Sequence, residues 1–195
     1  MKSGPTILCA VAGLSLASAS PSPCQAPLSS HGSSAPAPTS ASKPATGVAG
    51  IAWTTPGDWA PGKGSAMRVA TYVVPGANGG EDGQCAVFYF GPGQGGGVDD
   101  NVTRWERQFK GSPTASRSQR TVDGLGLTLV DIKGTYLNPG GGMMQSRGEM
   151  PGYRLLGVIV EAPDGHVFFK LTGPAATVLA AKTGFDSLVG SLRKD

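Results

Sequence analysis

The sequence predicts an α+β domain, an antiparallel β-sheet flanked by helices, and three observations carry that reading. Short runs with apolar side chains at every second position are separated by turn signals such as Asp123-Gly124 and Pro163-Asp164-Gly165, the pattern of consecutive hairpins. One stretch in the middle has a helical period instead: Val98, Val102, Trp105 and Phe109 fall at i, i+4, i+7 and i+11. The period returns near the end, at Phe185, Leu188, Val189 and Leu192. Hairpins with one inserted helix and a helical end build a sheet covered by helices.

Residues 1–19 read as an address. Lys2 precedes an apolar run, Thr6 to Leu16, of the length of a signal-peptide core and too short to span a bilayer, and Ala17-Ser18-Ala19 supplies small residues for cleavage. Residues 20–47 read as a disordered linker: Ser, Pro and Ala fill most of it and leave nothing to bury. Cys24 is a candidate for lipidation, although Pro21-Ser22-Pro23 before it fits the bacterial pattern badly. A single acyl chain would in any case be a marginal anchor. Residues 48–195 remain as one globular domain.

Ile51-Ala52-Trp53 opens that domain, and a loop rich in Pro and Gly returns the chain, with Trp53 and Trp59 plugging the edges of the core. Met67 to Val74 reads as a strand with Val69, Thr71 and Val73 on one face. Gly76 to Gly83 is a turn region, and Gln84 to Phe90 pairs back. The glycine loop Gly91 to Gly97 then leads into the central helix. Asp99 and Asp100 sit at its start, where the positive end of the dipole favours them, Glu106 and Lys110 have the spacing of an i,i+4 pair, and Trp105 is the anchor to the sheet. Gly111 to Ser116 reads as loop and Ser118 to Val122 as a strand. Leu125 to Leu137 is a long strand with Leu125, Leu127 and Leu129 on one face and Val130 and Ile132 on the other. Asn138 to Gly152 is a long mobile loop. Tyr153 to Glu161 is apolar on both faces and therefore central, and His166 to Leu171 returns beside it. Pro174 suits a first helical position, and Gly184 interrupts the last helical stretch.

Charge narrows the function. Of the 16 basic residues, Lys2 and Lys43 fall in the first 47, which hold no acid; 14 remain against 13 acids. A nearly neutral domain lacks the basic stripe that nucleic-acid binding needs.

Several stretches resemble an exported bacterial family of unassigned role: Trp53, Pro56 and Trp59; RVATY from Arg68; FYFGPGQGG from Phe88; NVTRWERQF from Asn101; and FFKLTGPAATV from Phe168. The resemblance covers nearly all of Val48 to Lys194. The order of elements also resembles the PsbP-like α/β/α sandwich, the fold of the extrinsic P subunit of photosystem II and of a nuclear import factor that binds the GTPase Ran. It implies binding and assembly, and it carries over no functional residues.

Candidate chemistry is sparse. Gly91, Gly93 and Gly96 satisfy the dinucleotide glycine spacing, but Asp99 and Asp100 occupy the anion's place, Pro92 removes an N–H, and an antiparallel sheet lacks the parallel unit that the motif requires. Met143, Met144 and Met150 offer soft thioethers to Cu(I) without a Cys or His nearby in sequence. His166, beside Asp164, and Cys85 could form a nucleophilic arrangement only if the fold brings them together; the plainer reading is a solvated turn histidine and a buried thiol. Asn101-Val102-Thr103 is a glycosylation sequon set on a helix, and His31 lies alone in the linker.

The reading is therefore an exported, non-catalytic binding or assembly domain of the cell envelope, periplasmic or extracellular, with an envelope protein as partner and no cofactor. The contact surfaces expected are the two glycine-rich loops, with Gly93, Gly95, Gly96, Met143, Met144 and Arg147. A small-ligand or copper carrier is the alternative, and a hydrolase-type enzyme comes third.

Overall fold

The structure, a computed structural model, describes residues 46–137 and 148–195. Their elements run β1 (Thr46–Val48), β2 (Ile51–Trp53), β3 (Ala60–Pro61), β4 (Ala70–Val74), a 3-10 turn (Ala77–Gly79), β5 (Gly83–Tyr89), α1 (Val98–Glu106), β6 (Thr114–Val122), β7 (Leu125–Tyr136), β8 (Met150–Ala162), β9 (Gly165–Pro174), α2 (Ala175–Ala180), α3 (Lys182–Gly190) and β10 (Arg193–Lys194). The expected α+β class, an antiparallel sheet with helices on it, is what these residues form.

Seven strands pair in the order β3-β4-β5-β9-β8-β7-β6, every pair antiparallel. Two cores follow from the alternation of side chains. On one face, Cys85, Val87, Val158, Phe169 and Leu171 meet Val178, Phe185, Leu188 and Val189 of α2 and α3. The small sheet β1-β2-β10 lies on the same face, where Trp53 packs edge-on to Phe169 at 5.0 Å and donates to the Tyr72 hydroxyl. On the other face, Val102 and Trp105 of α1, with Phe109 just beyond it, meet Val130, Ile132, Leu155, Ile159 and Phe168. Leu125 and Leu127 divide from Val130 and Ile132 as the alternation requires.

One contact sets the distance between α1 and the sheet. Trp105 is buried directly over Gly157 of β8: a Cβ there would lie 2.7 Å from Cε3 and 2.9 Å from Cη2 of the indole, and closer still to Cζ3. The ring occupies the volume that any side chain at Gly157 would need.

Several boundaries differ from expectation, each for a local reason. α1 ends at Glu106, so Glu106 and Lys110 do not face each other on a helix; the Lys110 ammonium bonds the Glu149 carboxylate at 2.7 Å instead. After α1 the backbone of Gln108 to Lys110 bonds that of Thr135 to Leu137, which buries Phe109 on Tyr136. β6 starts at Thr114, within the expected loop, because its ladder to β7 runs the full length of the strand from Thr114 opposite Lys133. Met150 to Gly152 belong to β8, paired through Met150 to Tyr136 across a register shift; residues 138–147 lie outside the described residues. β4 starts only at Ala70, leaving Met67 and Val69 exposed. The helical break falls at Ala181. Gly184 lies inside α3 against Pro56 and Trp59, so it does not interrupt the helix. Pro174 is the N-cap of α2, one residue ahead of the expected position. β1 and β10 are additions; both are too short to show a period.

Two glycines should respond in opposite directions. Gly157→Ala should cost about 1–3 kcal/mol in urea unfolding by overpacking against Trp105. In a Trp105→Ala background, itself about 3–5 kcal/mol less stable, most of that cost should vanish; additive losses would show that the ring does not set the spacing. Gly184→Ala places its methyl 3.6 Å from Pro56, an ordinary contact, and should stabilise by about 0.5–1 kcal/mol through helix propensity.

Candidate functional site

The expected loop surface is only partly described. Met143, Met144, Arg147 and Cys24 lie outside the described residues. Gly93 and Gly96 are exposed, while Gly95 packs with positive φ against Phe90 and Phe168. The glycine loop is held to the body of the fold by Asn101, whose buried amide donates to the Gly95 and Gly97 carbonyls at 2.8 Å each. Asn101 is thus a loop staple, and its burial removes it as a glycosylation acceptor. β5, which feeds this loop, pairs antiparallel on both sides, so the loop does not belong to a dinucleotide fold.

Cys85 and His166 are not brought together. The Cys85 side chain belongs to the core under α2 and α3. His166 lies in register with the opposite face, where its ring faces Phe168 edge-on and Nδ1 lies 3.2 Å from the Gly96 carbonyl oxygen. The sheet separates them. Burial also pushes the thiol far up, away from the reactive thiolate. Among the described residues, no group of three His, Cys, Asp or Glu side chains is placed to hold a metal ion. No helix of the described residues is long and apolar enough to cross a membrane.

The chemistry collects elsewhere, on residues that, Met150 apart, were not singled out in the sequence. α1 covers only the β7–β8 half of its face. The other half presents Gln84, Ala86 and Phe88 of β5 and Lys170 and Thr172 of β9, and these floor a cleft of about 500 Å³. Tyr136, Tyr153 and Met150 form its wall on the side of β7 and β8, and Gln108 its wall at the end of α1; Arg68, Glu81 and Asp82 also line it.

Lys170 is the centre of this site. The register places it between Ala86 and Gly157, so it is the next side chain along the row from the glycine under Trp105. Its ammonium donates to the Gln108 side-chain oxygen and, at 3.1 Å, to the Tyr136 hydroxyl, and lies 5.3 Å from the Tyr136 ring centre. The backbone bonds between Gln108–Lys110 and Thr135–Leu137 place both partners. All of these contacts are to neutral groups. Among the described residues no carboxylate pairs with Lys170 or with Arg68, which instead bonds Gln84 at 2.8 Å and lies over Phe88. The carboxylates of the cleft are engaged elsewhere: Tyr153 donates to Glu81 at 2.6 Å, and the Gly76 N–H donates to Asp82 at 2.9 Å. Thr172 adds a buried hydroxyl oxygen with no hydrogen-bond partner.

Burial without a counter-charge decides the titration. It pushes Lys170 down to about 8, with the Arg68 charge acting in the same direction. Burial pushes Tyr136 up to about 12, with Arg68 acting against it. The sequence held one signal for this site: a lysine inside the apolar strand Val167 to Leu171, where that residue type is rarely buried unless paired.

No protein-family model and no curated protein matches the chain. Among solved structures, it is similar to the cyanobacterial PsbP of Synechocystis sp. PCC 6803, with a TM-score of 0.49 and 13% identity over 75% of this chain and 88% of that one. It is also similar to PA94 of Pseudomonas aeruginosa, a protein of unknown function, with a TM-score of 0.45 and 14% identity over 76% of this chain and 94% of that one. At these values neither likeness carries an argument about function.

Lys170 makes a pH prediction. Its folded value of about 8 lies below its ordinary 10.5, so between them the unfolded chain holds a proton that the folded chain has released. Raising the pH from 8 to 10 should therefore increase stability, by on the order of 1–3 kcal/mol, relative to a Lys170→Met variant followed in parallel. Chemical denaturation at intervals across that range measures it. Parallel curves would show that Lys170 titrates normally.

Proposed function

We propose that this protein is an exported, non-catalytic binding domain acting in the cell envelope, with a PsbP-like sandwich as its scaffold and the Lys170 cleft as its recognition surface. The observation that carries the reading is a half-covered sheet face whose cleft holds two cations without carboxylate partners. A charge kept partly desolvated and uncompensated costs stability, and sites that bind are where such a cost is retained. The cleft has the volume of small-ligand sites. Its polar groups converge from β5, β7, β8 and β9 and from the end of α1, so the scaffold holds them in place.

A second reading, assembly with an envelope protein, is favoured by β6. This nine-residue edge strand is exposed along nearly its whole length and offers an unpaired ladder edge to an extended segment.

A compound screen on the full chain, read by thermal shift and confirmed by protein-observed NMR, tests the first reading. Hits should shift resonances around Lys170, lose their thermal shift in Lys170→Met, and be recovered chemically unchanged. Turnover of a hit that disappears with Lys170 would overturn the non-catalytic reading. Hits that protect both proteins equally would place the site elsewhere.

A further inference from the structure

We propose that the Lys170 cleft takes a small monocarboxylate, its head between the Lys170 ammonium and the Arg68 guanidinium and an aromatic or apolar body against Phe88 and Tyr136. This rests on the cleft being the recognition surface. The two cations line one cleft, and neither has a carboxylate partner among the described residues. A carboxylate supplies what each lacks. It accepts from an ammonium and from the planar guanidinium fork, and it reduces the cost of leaving Lys170 half-buried without an opposite charge. Thr172 offers a further hydroxyl whose oxygen has no hydrogen-bond partner.

The size and charge of the ligand follow from the rest of the lining. Glu81 and Asp82 balance Arg68 and Lys170, so the formal charge of the lining is zero. A dianion such as phosphate would meet repulsion from the two carboxylates as well as attraction from the two cations, whereas a monoanion adds one charge to a neutral site. Aromatic rings stand next to the cations. Arg68 already lies over the Phe88 ring, and Tyr136 stacks on Tyr153 with ring centres 5.9 Å apart and planes 3° from parallel. A flat apolar body fits beside such rings.

Binding should then be coupled to a proton. The groups facing Lys170 are Gln108 after α1, Tyr136 of β7, Tyr153 of β8, Arg68 ahead of β4, and Glu81 and Asp82 ahead of β5. Lys170 is the one held near 8, and a bound carboxylate stabilises its charged form. Affinity should fall as pH rises from 7 towards 10, with uptake of up to one proton near pH 8.

The test is calorimetric titration of the full chain with benzoate, inorganic phosphate and uncharged benzamide at millimolar concentrations, repeated at pH 7 and pH 9.5. Benzoate should bind at pH 7, at least tenfold more weakly at pH 9.5, and at least tenfold more weakly in both Lys170→Met and Arg68→Gln. Lys170→Met should also lose the pH dependence. Arg68 is half-buried and lies ahead of β4, outside both hydrophobic cores, so its variant tests the site with little burden on the fold. Benzamide binding as tightly as benzoate, with both lost in Lys170→Met, would overturn the carboxylate assignment and leave the binding surface standing. Phosphate binding in preference to benzoate would overturn the monoanion assignment. Failure of all three probes, alongside a compound screen with no hit at Lys170, would overturn both the assignment and the surface.

Discussion

The Trp105 ring lying on Gly157 is the contact on which the rest of this domain depends. An indole placed on bare backbone brings α1 to the sheet at one position along β8, and the single turn of chain after the helix then reaches only as far as Tyr136. The helix is nine residues long. It can cover one half of a wide sheet and no more. The open half is a consequence of helix length and of where its largest side chain found space, and Lys170 is the first side chain on the uncovered side of that row.

The two faces of the sheet solve burial differently. The face under α2, α3 and the small sheet is continuous and apolar, and its buried charge is compensated: Arg154 makes a two-point contact with Asp131 at 2.8 and 2.5 Å. The face under α1 holds a lysine with neutral partners only. In a domain whose surface charges nearly balance, that contrast marks the second face as the unusual one. A buried charge with an opposite charge beside it belongs to the fold. A half-buried charge without one is held at a cost that an opposite charge from outside the fold would remove.

Much of the architecture was legible because it rests on short-range patterns. The period of Val98, Val102 and Trp105 and the turn at Asp123-Gly124 both place elements where the structure has them, and Trp105 is the anchor that its size suggests. What escaped was pairing. Nothing in the neighbourhood of Gly157 announces that a tryptophan 52 residues earlier needs the space its missing side chain leaves. Nothing around Gln108, Tyr136 or Arg68 announces that they line one cleft with Lys170, because they come from distant parts of the chain and meet only once the strands are in register. Glycine loops stand out in a sequence because motifs are local; the cleft is a product of tertiary registry. Cys85 and His166 follow the plainer reading, because strand parity puts the buried thiol and the turn histidine on opposite sides of the sheet.

The order of the strands also sets the order in which they can come together. β6, β7, β8 and β9 follow one another in the chain and pair in that sequence, so each step closes a short loop or lengthens an existing hairpin. β5 joins β9 only by bringing distant parts of the chain into register, Ala86 beside Lys170, across everything that lies between them. The entropy of closing that loop is recovered only once the joint is made, and nonlocal joints of this kind are slow to form. The cleft lies across that seam, with Gln84 and Phe88 on one bank and Lys170 and Thr172 on the other. A molecule held there grips both banks, and so acts as a clamp on the joint that costs the chain most to close.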